Sequence, residues 1–263
     1  MPTRDNIPAG APCWVDLMTS DADGAKAFYG ELFGWAAEES APEFGGYTNL
    51  TRDGVRIGGL MPKQPGMDVP DGWSVYLSTP DAEKTVAAAT EHDGGVIVPP
   101  MAVADLGVMA VVTDPGGAAI GLWQPGLHTG FGVVAEPGAP AWFEVLTRDY
   151  AAAIPFYRDV FGWDVHTVAD TPDFRYSTYG EGDAAQAGIM DASGFLPDGV
   201  PSHWSVYFAT ADTDATLERA AALGGSAILP AGDTPYGRLA AAADPTGAVF
   251  KLVGPSVSTP AAS

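Results

Sequence analysis

The chain is poor in the residues from which many sites are built. Its 263 residues include one cysteine, Cys13, and four histidines, at 92, 128, 166 and 203. A single cysteine excludes an internal disulfide and any cysteine-based metal cluster. Positive charge is scarce as well: 12 Lys and Arg stand against 33 Asp and Glu, a formal net charge of −21. That surplus repels phosphate backbones and anionic lipid, so neither nucleic acid nor a membrane surface is an expected partner. No apolar run approaches the roughly 20 residues a membrane span needs. The first residues, MPTRDNIPAGAP, carry no apolar core of signal-peptide length. The expectation is a cytoplasmic protein whose acidity serves solubility. Phosphate-binding loops, dinucleotide fingerprints and the nucleophile elbow are missing too.

What the chain does have, it has twice. GAPCWVDLMTSDADGAKAFYGELFGW at 10–35 returns as GAPAWFEVLTRDYAAAIPFYRDVFGW at 138–163, without a gap. Match at a fixed period is the mark of duplication. Within each copy the order is strand, helix and three strands. Cys13 to Thr19 alternates, with Trp14, Asp16 and Met18 on one face and Cys13, Val15 and Leu17 on the other. Asp21 to Phe33 has helical apolar spacing, Ser20 or Asp21 is the expected N-cap, and Gly34 the stop. Asp53-Gly54 reads as a tight hairpin turn. The same order resumes at Trp73–Ser78 and ends in Asp114-Pro115-Gly116-Gly117 and a closing strand. His203 to Tyr207 and Asp244-Pro245-Thr246-Gly247 repeat this in the second half. Pro155 falls inside the second copy's first helix. The reading is α+β, with four βαβββ units paired into two tandem domains, 8–125 and 138–255. Residues 256–263, rich in Ser, Pro, Thr and Ala, are expected to be a disordered tail.

Four such units, with FY-x-x-x-FGW closing the first helix of each domain and DP-x-G before each last strand, resemble the glyoxalase / bleomycin resistance / extradiol dioxygenase superfamily, the vicinal oxygen chelate proteins. The two-domain arrangement is similar to actinobacterial glyoxalase-like proteins. The resemblance implies a curled mixed sheet around one cleft per domain. It also implies that metal-dependent members place His, Glu or Gln on the first, fourth, fifth and eighth strands. Counting from the motifs, those places hold Trp14, about Gly58, Trp73 or Ser74, and Gly121 in the first domain. In the second they hold Trp142, about Gly188, His203 or Trp204, and Lys251. Only His203 is a ligand type, and only with a register slip of one. A divalent site needs roughly three protein ligands, so neither a metal nor another cofactor is expected.

The expected cleft lining is Trp14, Asp16, Met18, Trp73, Val75 or Tyr76, and Trp123 in the first domain. In the second it is Trp142, Glu144, Leu146, Trp204 and Lys251. An aromatic-lined pocket with a few polar groups suits a flat, largely apolar ligand. Equally, the tryptophans can simply fill the space as core. Asp16 and Glu144 occupy matching positions, and a carboxylate on an apolar strand needs a partner when buried. Each is a candidate hydrogen-bond acceptor or general base, or a group satisfied internally, with Lys251 the obvious partner for Glu144. Cys13, Phe28, Tyr29, Phe156 and Tyr157 read as packing residues. Three functions therefore stand open. The first is metal-independent binding of a flat aromatic or apolar small molecule, such as an antibiotic or natural product, for resistance or biosynthesis. The second is metal-free isomerase, cyclase or lyase chemistry with a cleft carboxylate as base. The third is a metal-dependent glyoxalase-type lyase or dioxygenase. Monomer and homodimer are both compatible with two domains in one chain.

Overall fold

The computed structural model describes residues 7–257, so the expected disordered tail lies largely outside the described residues. The first unit runs β1 (Pro12–Thr19), α1 (Ala22–Phe33), β2 (Trp35–Ala37), β3 (Thr48–Arg52) and β4 (Val55–Pro62). The second runs β5 (Gly72–Ser78), α2 (Ala82–Glu91), β6 (Gly95–Val103), β7 (Gly107–Thr113) and β8 (Ala119–Pro125). The third is β9 (Pro140–Thr147), α3 (Tyr150–Phe161), β10 (Val165–Thr171), β11 (Phe174–Tyr179) and β12 (Ala187–Asp191). The fourth is β13 (His203–Ala209), α4 (Thr213–Ala222), β14 (Ser226–Thr234), β15 (Gly237–Ala243) and β16 (Val249–Gly254). Each pair of units makes one eight-stranded mixed sheet, ordered β2-β3-β4-β1-β5-β8-β7-β6 and β10-β11-β12-β9-β13-β16-β15-β14.

Local chemistry starts and stops the helices as the sequence suggests. Asp21, Asp81, Asp149 and Asp212 each accept a hydrogen bond from a first-turn amide, satisfying donors that the helix leaves free. Gly34 and Gly162 end α1 and α3 in the left-handed conformation that glycine adopts without strain.

The two sheets share one core. Val15, Leu17, Val75, Leu77, Val112 and Leu122 of the first sheet and Val145, Val206, Phe208, Phe250 and Leu252 of the second belong to a single buried cluster, with residues of all four units. Helices cross between sheets: Phe28 of α1 lies against Phe250, and Phe33 against Phe208. The repeated motif supplies the joints. Tyr29 donates to Asp244 at 3.2 Å, and Tyr157 donates to Asp114 at 3.0 Å, so each FY tyrosine grips the DP-x-G turn of the other domain. Trp35 donates to the Gly138 carbonyl and Trp163 to that of Gly10. Residues read as helix–sheet packing and as turns thus also hold the domains to each other. With the helix-bearing faces turned inward, the other face of each sheet is the outer one. It carries Trp14, Asp16 and Met18 in the first domain and Trp142, Glu144 and Leu146 in the second.

Candidate functional site

Strand register fixes which side chains meet on each outer face. Asp16 pairs with Gly59 of β4 and Ser74 of β5, and Tyr76 pairs with Trp14 and Gly121. In the second domain Glu144 pairs with Gly188 and Ser205, while Tyr207 pairs with Trp142 and Lys251. Partners directly opposite point to the same face. The expectation for Trp73 and Trp204 needs correction. Alternation puts both on the inner face, where Trp73 donates to Tyr29 and Trp204 to Tyr157, each at 3.1 Å. Val75 is likewise inward, leaving Tyr76 as the outward residue. On β4 the residue directly opposite Asp16 is Gly59, beside the expected place at about Gly58.

In the first domain Asp16 keeps partial solvent contact and Ser74 is exposed. Tyr47 donates to Asp16 at 2.6 Å and Trp14 at 2.9 Å, and the Trp14 N–H also reaches the Tyr47 hydroxyl at 2.8 Å. Burial pushes the Asp16 carboxyl up to about 6 against these lowering hydrogen bonds from Tyr47, Tyr76 and Trp14. The neutral glycines are part of the arrangement: a Cβ at Gly59 would strike Tyr47 and Asp16, and one at Gly121 would strike the Tyr76 ring. Met18 and Met61, paired across β1 and β4, add soft apolar surface beside the carboxylate.

The other end of this face is closed by the chain itself. The segment after β8 folds back, Trp123 donating to the His128 carbonyl at 2.8 Å and Phe131 to that of Cys13 at 2.9 Å. His128 sits edge-on to Trp14 with centroids 4.3 Å apart, and Phe131 lies 5.7 Å from the same ring. Trp14 is 4% exposed. The buried Nε2 of His128 has no hydrogen-bond partner among the described residues. Burial, with Arg56 nearby, holds this imidazole down at about 4.

The second domain has the same frame with different chemistry. Glu144, 3% exposed, accepts from Tyr176 at 3.2 Å, Tyr207 at 2.6 Å and Lys251 at 2.6 Å. Lys251 also donates to the Tyr207 hydroxyl at 3.2 Å and lies 4.8 Å from that ring. Trp142 donates to Tyr176 at 2.9 Å. Its ring is partly exposed and makes no aromatic contact among the described residues. The two faces are therefore open at different ends, the first at Asp16 and Ser74, the second at Trp142.

Of the sequence candidates, Trp14, Asp16, Met18 and Trp123 share the first outer face and Trp142, Glu144, Leu146 and Lys251 the second. Tyr47, Tyr176, His128 and Phe131 were missed. Tyr47 and Tyr176 occupy equivalent places in the duplication, a signal available in the sequence. Nothing local marks His128, whose position depends on the fold-back. A divalent metal does not fit these faces. Asp16 is flanked by Gly59 and Ser74, and Glu144 already holds an ammonium. Among the described residues no group of three or more His, Cys, Asp or Glu side chains could hold a metal ion. His203, on the outer face opposite Leu146, has its Nδ1 2.9 Å from the Pro201 carbonyl. No helix among the described residues is long and apolar enough to cross a membrane.

Asp16 yields a pH prediction. Its carboxyl is raised above the unfolded value, so its contribution to stability is full below about pH 4 and is lost as pH rises through about 6. Asp16→Asn removes that loss. The difference in denaturation midpoint between variant and parent should grow in the variant's favour from pH 4 to pH 7. A difference that stays flat across this window means the carboxyl is not raised.

A sequence profile described as the Glyoxalase/Bleomycin resistance protein/Dioxygenase superfamily matches residues 13–122 and 139–252. "Putative glyoxylase CFP32" of Mycobacterium tuberculosis (strain CDC 1551 / Oshkosh) is 38% identical over 97% of this chain and 99% of its own. "Anthracycline biosynthesis protein DnrV" of Streptomyces peucetius is 37% identical over 97% of this chain and 96% of its own. Among solved structures, the 2,3-dioxygenase LapB from Pseudomonas sp. KL28 superposes with a TM-score of 0.65 at 13% identity, covering 96% of this chain and 95% of that one. The Mn(II)-bound glyoxalase from Novosphingobium aromaticivorans gives 0.63 at 13% identity, with 94% and 82% covered. At that identity the structural likenesses carry the fold alone.

Proposed function

The chain belongs to the glyoxalase/bleomycin resistance protein/dioxygenase superfamily, and from that premise we propose that it binds a flat, largely apolar small molecule without a metal, on the outer face of its second domain. The carrying observation is the partly exposed Trp142 ring, which stacks on no other ring among the described residues and lies two residues from Glu144 of the Glu144–Lys251 pair. An aromatic face beside a few fixed polar groups is what recognition of a planar ring system requires. On the first domain the corresponding Trp14 is covered by His128 and Phe131. The name shared by the Streptomyces relatives points the ligand class toward polycyclic quinones, in a biosynthetic or resistance role.

The test is a tryptophan-fluorescence titration with 2-hydroxyanthraquinone. Binding should be unchanged by EDTA or added Mn2+, should weaken at least about tenfold in Trp142→Ala, and should stay within about twofold in Trp14→Phe. Loss of binding on chelation, or equal binding by Trp142→Ala, would overturn the reading.

A second reading draws on Asp16. A carboxyl with some solvent access, raised to about 6 and with no ion-pair partner among the described residues, is suited to act as a general base near neutral pH. Metal-free isomerisation, cyclisation or lyase chemistry would then centre on the first domain. It predicts turnover that rises with pH through about 6 and is abolished in Asp16→Asn.

A further inference from the structure

We infer that Lys251 supplies from the chain itself the positive charge for a ligand oxyanion, so that the second outer face selects flat rings bearing an acidic hydroxyl. The inference rests on reading that face as the ligand site, and adds its substrate class.

Lys251 stands on β16 where the first domain has Gly121, each opposite the tyrosine that pairs with Trp142 or Trp14. An ammonium has three donors. One goes to Glu144 at 2.6 Å and one to the Tyr207 hydroxyl at 3.2 Å. The third has no partner among the described residues. Of the pair, the lysine side chain keeps the greater solvent contact, 14% exposed against 4% for the glutamate. Glu144 already accepts three hydrogen bonds, one oxygen taking Lys251 and Tyr207 and the other Tyr176. The anion holds the cation in place through the 2.6 Å bond from Lys251. The Tyr207 ring, 4.8 Å from the ammonium, fixes it from the side. Across the sheet, on the other side of Tyr207, the partly exposed Trp142 offers a plane on which a ring can stack.

A fixed cation next to an aromatic plane prefers a ring whose substituent oxygen is negative, because a charge-assisted hydrogen bond is about twice as strong as a neutral one. Phenols and enols of fused quinones carry such an oxygen, and their methyl ethers do not. The first domain cannot make this choice, since Gly121 offers no cation and Asp16 would repel an anion when ionised.

The experiment compares 2-hydroxyanthraquinone with 2-methoxyanthraquinone, by fluorescence titration and by the visible absorption of the bound phenol. Variants are Lys251→Arg and the double Lys251→Met, Glu144→Gln, which removes both charges together and leaves no buried ion unpaired. In the parent the hydroxy probe should bind at least about tenfold tighter than the ether, with its absorption shifted to the phenolate form. The double variant should bind both probes alike without that shift, and Lys251→Arg should keep the preference. Equal binding of both probes by the parent, unchanged in the double variant, overturns the role of Lys251 while leaving the binding reading intact. Binding of neither probe overturns both.

Discussion

Replacing Lys251 by Met should lower the stability of the whole protein by about 3–5 kcal/mol, because it strands a buried carboxylate. Glu144 is 3% exposed, and Lys251 is its only cationic partner among the described residues. Tyr176 and Tyr207 would still donate, but two neutral hydroxyls do not balance a charge held out of water. For a chain of this size the melting temperature should fall on the order of 10 °C. Adding Glu144→Gln should restore most of the loss, since removing both members of a buried pair is often close to neutral. Chemical denaturation of the two single variants and the double completes a cycle, and the coupling should be strongly favourable. Single-variant losses below about 1 kcal/mol would mean that the pair is solvated. The same pair would then be too loosely held to present its third donor to a ligand.

That pair was legible in the sequence, as were the duplication, the helix caps and the mixed sheets. The duplication and the caps follow from residues close in the chain or from two copies that can be compared, while the mixed sheets and the Glu144–Lys251 pair, 107 residues apart, came from the family resemblance. What escaped was non-local. Alternation assigns Trp73 to one of two faces, but not which face of β5 continues the outer face of β1. The pairing of Trp14 with Tyr76 decides that, and it sends Trp73 inward to Tyr29. The bond from Tyr29 to Asp244 spans 215 residues, and no period or motif announces it. His128 falls between the two domains expected from the sequence, and only its return over Trp14 brings it to the first outer face. The difference between the two faces is half legible. Gly121 against Lys251 can be read by counting, whereas the covering of Trp14 and the opening of Trp142 depend on how the chain folds back.

Trp163→Ala should cost about 3–5 kcal/mol, the range for removing a large buried aromatic side chain, and should do so without splitting the unfolding transition. Trp163 is 2% exposed and stacks on Tyr157 at 4.8 Å and Tyr179 at 5.1 Å. Its N–H crosses to the Gly10 carbonyl of the first domain at 2.8 Å. Tyr157, in turn, donates to Asp114 of that domain. Trp35→Ala should act as its mirror, since Trp35 stacks on Tyr29 at 5.1 Å and donates to Gly138. Two domains joined by a linker alone would melt separately, and each substitution would shift one transition. A shared core predicts one cooperative transition, moved down by either variant, with calorimetric and van't Hoff enthalpies in agreement. Two resolved transitions, one of them indifferent to Trp163→Ala, would refute the shared core. The coupling has a consequence for binding. A ligand that touches only the second domain at a hundred times its Kd stabilises the native state by about 2.7 kcal/mol. With one core, that gain must appear in the unfolding of the first domain as well, so hydrogen exchange at β1 and β5 should slow together with that at β9 and β13.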